Sequence, residues 1–139
     1  MVSSSRRATL VDANVLLDLL TQDAYWLDWS SAALAAAADE GSLHINPVIY
    51  AEASVRFSRI EDLDEALPME RFAREPLPWP AAFLAGKLFL EYRRRGGERR
   101  SPLPDFFIGA HAAVAGMRLL TRDADRYRSY LPKLALIAP

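Results

Sequence analysis

Apolar residues recur along this chain in two alternating rhythms, one suited to short strands and one to helices. Ala8 to Val11 is a short, mostly apolar run that stops at Asp12, and Ala13 to Leu20 then carries leucines at helical spacing. Tyr25 to Glu40 is rich in alanine, the best helix former, with Trp26, Trp29, Ala33 and Ala37 along one face and Gly41 as its stop. Leu43 to Asn46 reads as a second strand, and Pro47 opens a helix over Val48 to Phe57 in which Ile49, Ala53 and Phe57 recur at every fourth position. Ile60 to Ala66 is a short acidic helix and Arg71 to Ala73 an edge strand. Pro76, Pro78 and Pro80 lead into a long helix from Ala81 to about Arg95, which Gly96 and Gly97 end. Pro102 and Pro104 precede a small-residue helix, Asp105 to Ala115, apolar nearly all round and therefore buried, with Gly116 closing it. Met117 to Thr121 and Leu134 to Ile137 are the last strands. Strands separated by helices predict an α/β fold of three layers: a mostly parallel sheet of about five strands with helices on both faces.

The 139 residues suit one domain spanning the whole chain, and 51% hydrophobic with 25% charged residues is a globular composition. Zero cysteines removes thiolate metal sites, iron–sulfur clusters and cysteine nucleophiles, and two histidines, His44 and His111, are too few for a multi-histidine centre. The longest stretch without Asp, Glu, Lys or Arg is twelve residues, Phe106 to Met117, short of the roughly 18 that cross a bilayer. The apolar run after Arg6 and Arg7 is too brief for a secretory signal, so the expected location is the cytoplasm. A net charge of -1 means that any nucleic-acid binding must come from a local patch.

In open α/β sheets ligands bind beyond the carboxyl ends of the strands, and there this sequence places acids. Asp12 and Asn14 follow the first strand, Glu52 lies in the second turn of the helix after the second, Asp105 opens a helix, and Asp123 follows the strand at Leu119 and Leu120. Taken singly, Asp12 and Asn14 also suit a helix cap, Asp105 a first-turn acid, and Asp123 and Asp125 a turn. Glu52 has Val48 and Val55 as helical neighbours, which sets its carboxylate beside a buried apolar seam. Two carboxylates ~5 Å apart repel by roughly 3 kcal/mol at an effective dielectric of about 20. A cluster of them either takes up protons or binds a cation, and all-oxygen donors favour a hard ion, Mg²⁺ or Mn²⁺. Such ions commonly act on phosphates.

These residues fall in stretches that resemble the PIN-domain ribonucleases, and among them the VapC-type toxins of bacterial toxin–antitoxin pairs. The likeness runs from Thr9 to Pro139 and is carried by Val11 to Val15, Asn46 to Phe57, Pro102 to Ala112 and Leu119 to Tyr130. It implies that Asp12, Glu52, Asp105 and Asp123 are the catalytic and metal-site acids, with Asn14 and Thr121 supporting them by hydrogen bonds and Asp125 beside them. It further implies Mg²⁺- or Mn²⁺-dependent cleavage of RNA, neutralisation by a VapB-type antitoxin, and a homodimer. A DNA-directed metal nuclease is the nearest enzymatic alternative. A non-catalytic binding module of the same fold is another, as is a phosphoacceptor receiver domain, although neither Lys87 nor Lys133, the only lysines, stands where a receiver needs one.

Arg93, Arg94, Arg95, Arg99 and Arg100 form the strongest basic run, read either as an RNA-phosphate strip or as a solvated helix terminus. Arg122, Arg126 and Arg128 either flank a substrate path or solvate the last turn. His44 and His111 read as core histidines, and Trp26, Trp29 and Trp79 as core or as contacts to a partner protein.

Overall fold

The computed structural model describes residues 7–97 and 102–139. Among these, five strands form one all-parallel sheet in the order β3-β2-β1-β4-β5. The strands are β1 (Thr9–Val11), β2 (Leu43–Ile45), β3 (Phe72–Arg74), β4 (Arg118–Leu120) and β5 (Leu136–Ile137). Seven helices accompany them: α1 (Ala13–Leu20), α2 (Leu27–Glu40), α3 (Pro47–Ser54), α4 (Ile60–Ala66), α5 (Trp79–Arg94), α6 (Leu103–Ala115) and α7 (Asp125–Tyr130). All three residues of β1 are buried, so helices cover both faces of the central strand. No helix among the described residues is long and apolar enough to cross a membrane.

The sheet grows outward from β1 in both directions. The chain passes β1 to β2 to β3 on one side and returns to β4 and β5 on the other. The strand order therefore reverses between β1 and β4, and a crevice opens at such a switch point beyond the strand ends. Val11 pairs with Leu120 there, so the next residues, Asp12 and Thr121, leave the sheet side by side.

A core of Leu10, Val11, Ile45, Ile49, Leu119 and Leu120 fills the space between the sheet and its helices. A second cluster joins α5 to α6 through Ala81, Ala85 and Leu88 against Phe106 and Ala110, where alanines let the helices approach closely. Gly109 does the same for α7: a Cβ there would stand 2.8 Å from Leu131 Cδ1 and 3.0 Å from the Tyr127 ring. Gly116 ends α6 in the left-handed region at φ +69°, as its place in the sequence predicts.

Several boundaries differ from the sequence reading. The α3 helix stops at Ser54, not Phe57. The Ser54 hydroxyl bonds back to the Ala51 carbonyl, and the amides of Arg56 and Phe57 reach only three residues back, to Ala53 and Ser54. Both α5 and α6 begin two residues earlier than expected, because proline in the first turn has no amide to leave unbonded. The α7 helix is an element that the sequence pattern did not announce.

Candidate active site

Asp12 stands in the N-cap position of α1, yet its side chain makes no cap hydrogen bond. The carboxylate turns instead into the crevice between β1 and β4. Its Oδ2 accepts from the Thr121 hydroxyl at 2.9 Å and from the Tyr127 hydroxyl at 3.1 Å. Thr121 in turn accepts from Asn14 Nδ2 at 3.1 Å and from the Asp123 amide at 3.2 Å, and Asn14 Oδ1 accepts from the Arg122 amide at 3.2 Å. Asn14 and Thr121 are thus linked to Asp12 through one chain of hydrogen bonds. Tyr127 was not singled out from the sequence; a lone tyrosine in DRYRSY has no periodicity to mark it as buried.

The other acids arrive from separate elements. Glu52 sits half-buried in the second turn of α3, and Asp105 in the first turn of α6. Asp123 is exposed in the β4–α7 loop, and Asp125 is exposed at the start of α7, where no side chain among the described residues bonds to it. The seam beside Glu52 is not buried, contrary to the sequence reading. Val55 lies beyond the helix end and is 77% exposed. Val48, Ala51, Val55, Pro104 and Phe107 instead line an open apolar groove that Glu52 also borders.

The carboxylates sense one another. Burial pushes the Asp12 carboxyl up to about 6, the Asp105 charge adds to the rise, and the bonds from Thr121 and Tyr127 oppose it. Glu52 is pushed up to about 7, first by burial and then by Asp12 and Asp105. Asp105 is raised by burial and by Asp123, against the pull of Arg126, whose Nη1 donates to Asp105 Oδ2 at 2.7 Å. The Tyr127 phenol is held well above its usual range by burial and by the charges of Asp12 and Asp105, so it remains a hydroxyl donor. Asp12, Glu52, Asp105 and Asp123 are therefore brought into one electrostatic neighbourhood at one edge of the sheet.

A second anchor lies one layer behind. Asp18, buried on α1, accepts from Ser30 Oγ at 2.7 Å and from Arg122 Nε at 2.8 Å, while the Arg122 guanidinium stacks over Trp26. This ties α1, α2 and the loop after β4 together. Neither the buried role of Asp18 nor its pairing with Arg122 has a local signature, since the two are 104 residues apart.

The donor set is oxygen-only and short of positive charge, which fits a hard divalent cation. Among the described residues no three carboxylate or imidazole side chains are already gathered to grip one ion. Asp105 is turned toward Arg126 instead.

Of the basic run, Arg95 bonds Glu91 and Ser129 and stacks over Tyr130, so it braces the α5 terminus. Arg93 and Arg94 are exposed in the last turn of α5, and Arg99 and Arg100 lie outside the described residues. His111 is buried, with Nδ1 3.0 Å from the Asn46 amide nitrogen, and His44 bridges Ser42 and Glu75; both are satisfied internally.

The family model described as the PIN domain matches residues 9–130, and the chain belongs to that family. No curated protein matches the sequence. The fold is similar to the VapBC2 complex of Rickettsia felis bound to a promoter DNA fragment, at 18% identity and a TM-score of 0.72, covering 94% of this chain and 98% of that one. It is similar to VapBC-1 of nontypeable Haemophilus influenzae at 16% identity and a TM-score of 0.71, covering 94% and 97%. It is likewise similar to a toxin–antitoxin complex of Klebsiella pneumoniae at 20% identity and a TM-score of 0.69, covering 93% and 95%.

Proposed function

We propose that this chain works as a single-domain, metal-dependent endoribonuclease, the VapC-type toxin of a toxin–antitoxin pair. The observation that carries the reading is the set of carboxylates at the β1–β4 switch point, with Asp12 and Glu52 both held far above the usual carboxylate range. Asp12, Glu52, Asp105 and Asp123 are the residues that would hold Mg²⁺ or Mn²⁺. When bound, such an ion supplies an acidified water and neutralises charge on the phosphodiester. Thr121 and Tyr127 fix the Asp12 carboxylate through Oδ2, and Asn14 holds the Thr121 hydroxyl in line. Arg93, whose guanidinium lies over the Phe89 ring, and Arg94 are exposed members of the basic run that suit RNA phosphates.

The antitoxin and a second copy of the chain are proposed as protein partners. Trp79, Phe83 and Leu90 share one face of α5 and stand 87%, 69% and 43% exposed, an apolar stripe of the kind that partners cover. The similar structures include VapBC-1 and a toxin–antitoxin complex, which supports the same reading.

The test is cleavage of single-stranded RNA in Mg²⁺ by the antitoxin-free protein and its Asp12→Asn variant, with single-stranded DNA in parallel. Loss of at least a hundredfold in rate by the folded variant is expected. Equal rates would overturn the assignment, and cleavage of DNA alone would transfer it to a DNA-directed nuclease.

A further inference from the structure

Arg126 occupies a position that the metal-nuclease reading leaves unexplained. Its guanidinium touches Asp105 through Nη1 alone, at 2.7 Å, with both side chains partly open to solvent at 40% and 34%. No other side-chain acceptor among the described residues takes up the rest of its fork. The remaining site acids are treated differently. Asp12 receives neutral hydroxyl donors, and Glu52 has no basic side chain bonded to it among the described residues. A single protein cation therefore sits on one carboxylate of a site whose donor chemistry suits a divalent one.

The two cations compete. A +1 guanidinium and a +2 ion on the same carboxylate repel each other, and an exposed ion pair of this kind is weak enough to be exchanged. Once displaced, the guanidinium stays tethered to α7 at the rim of the site. Its planar donors match a phosphate better than any other side chain does. We propose that Arg126 is a built-in counter-ion of this site, exchanged for the divalent ion at Asp105 and thereby released to bind a phosphate of the substrate strand. This rests on the nuclease reading above and adds a substrate-binding residue to it.

The experiment titrates Mn²⁺ alone into the full chain by calorimetry, comparing the parent with Arg126→Gln and with Arg128→Gln, an exposed arginine two residues on that makes the same charge change. Arg126→Gln is expected to bind Mn²⁺ about fivefold more tightly, as removal of a weak competing ion pair would give, with Arg128→Gln within about twofold of the parent. At saturating Mn²⁺ the KM of Arg126→Gln for a single-stranded RNA oligonucleotide should rise several-fold while kcat changes less. Unchanged or weaker Mn²⁺ binding by a folded Arg126→Gln protein overturns the exchange, as does an equal gain in Arg128→Gln. An unchanged KM overturns the phosphate contact. If neither the parent nor Arg126→Gln binds Mn²⁺, the metal-nuclease reading itself fails and the exchange with it.

Discussion

The Tyr127 hydroxyl donates to Asp12 Oδ2 at 3.1 Å across 115 residues of sequence, so the last helix of the chain orients the carboxylate that ends its first strand. Thr121 shares that oxygen. With two donors on a buried anion, loss of one leaves the other to hold it in place.

Tyr127→Phe removes the hydroxyl and keeps the ring that packs on α6. It should lower stability by about 1 kcal/mol and raise the Asp12 carboxyl further, because a bond favouring the anion is gone. In a pH–rate profile with Mg²⁺ the acid limb should move to higher pH. An unmoved limb in a folded variant would show that the hydroxyl has no part in setting Asp12.

Asp12 and Glu52 make the metal-free protein sensitive to alkali. Their folded values, about 6 and about 7, lie above the unfolded ones, 3.8 and 4.5. The folded state then binds more protons, and the stability this provides is full below about pH 4 and is lost as pH rises through 6 and 7. For Asp12 the loss is on the order of 2–3 kcal/mol, and Glu52 adds less because water screens it. Urea melts in a chelator should show stability falling from pH 5 to pH 8. Addition of Mn²⁺ should raise the melting temperature more at pH 8 than at pH 5.5, where protons occupy the same oxygens.

Gly109→Ala puts a methyl group against Leu131 and the Tyr127 ring. The Leu131 tip can swing aside, but the ring is held by its bond to Asp12. A cost of about 1–3 kcal/mol in stability is expected, together with reduced RNA cleavage. Thermal melts and cleavage rates on the same preparation check both.

Arg122→Ala leaves the buried Asp18 carboxylate with Ser30 as its side-chain donor. The expected loss is about 1–3 kcal/mol, below that of a fully buried pair because the arginine is itself 30% exposed. The double variant Asp18→Asn, Arg122→Ala should recover part of it. Chemical denaturation of the parent, the two single variants Asp18→Asn and Arg122→Ala, and the double variant gives the coupling directly.

How much of this was legible in the sequence depends on distance along the chain. The strands and most helices announced themselves, because an apolar run ending in Asp12 or Asn46 and a spacing of three and four are local facts. The strand-end rule says where to look for Asp12, Glu52, Asp105 and Asp123, and burial and neighbouring charge raise the first three, though among the described residues no three acids are gathered to grip one ion. What holds them was not legible. Tyr127, Asp18 and the Arg126 contact to Asp105 are pairings between remote segments, and DRYRSY is too short and too polar to read as a packed helix. The end of α3 was misjudged because Phe57 continued a helical spacing while packing on the core from a tighter turn.

The strands that carry the site are three residues long, and the pairing of Val11 with Leu120 alone decides that Asp12 and Thr121 emerge as neighbours. Slipping that pairing by one residue would turn one of them to the opposite side of the sheet. Because the partners of Asp12 come from positions 121 and 127, a chain still being synthesised holds its first acid unsupported until more than a hundred further residues have been added. If the chain is the nuclease proposed, the support of its first acid is completed only once Tyr127 has been added.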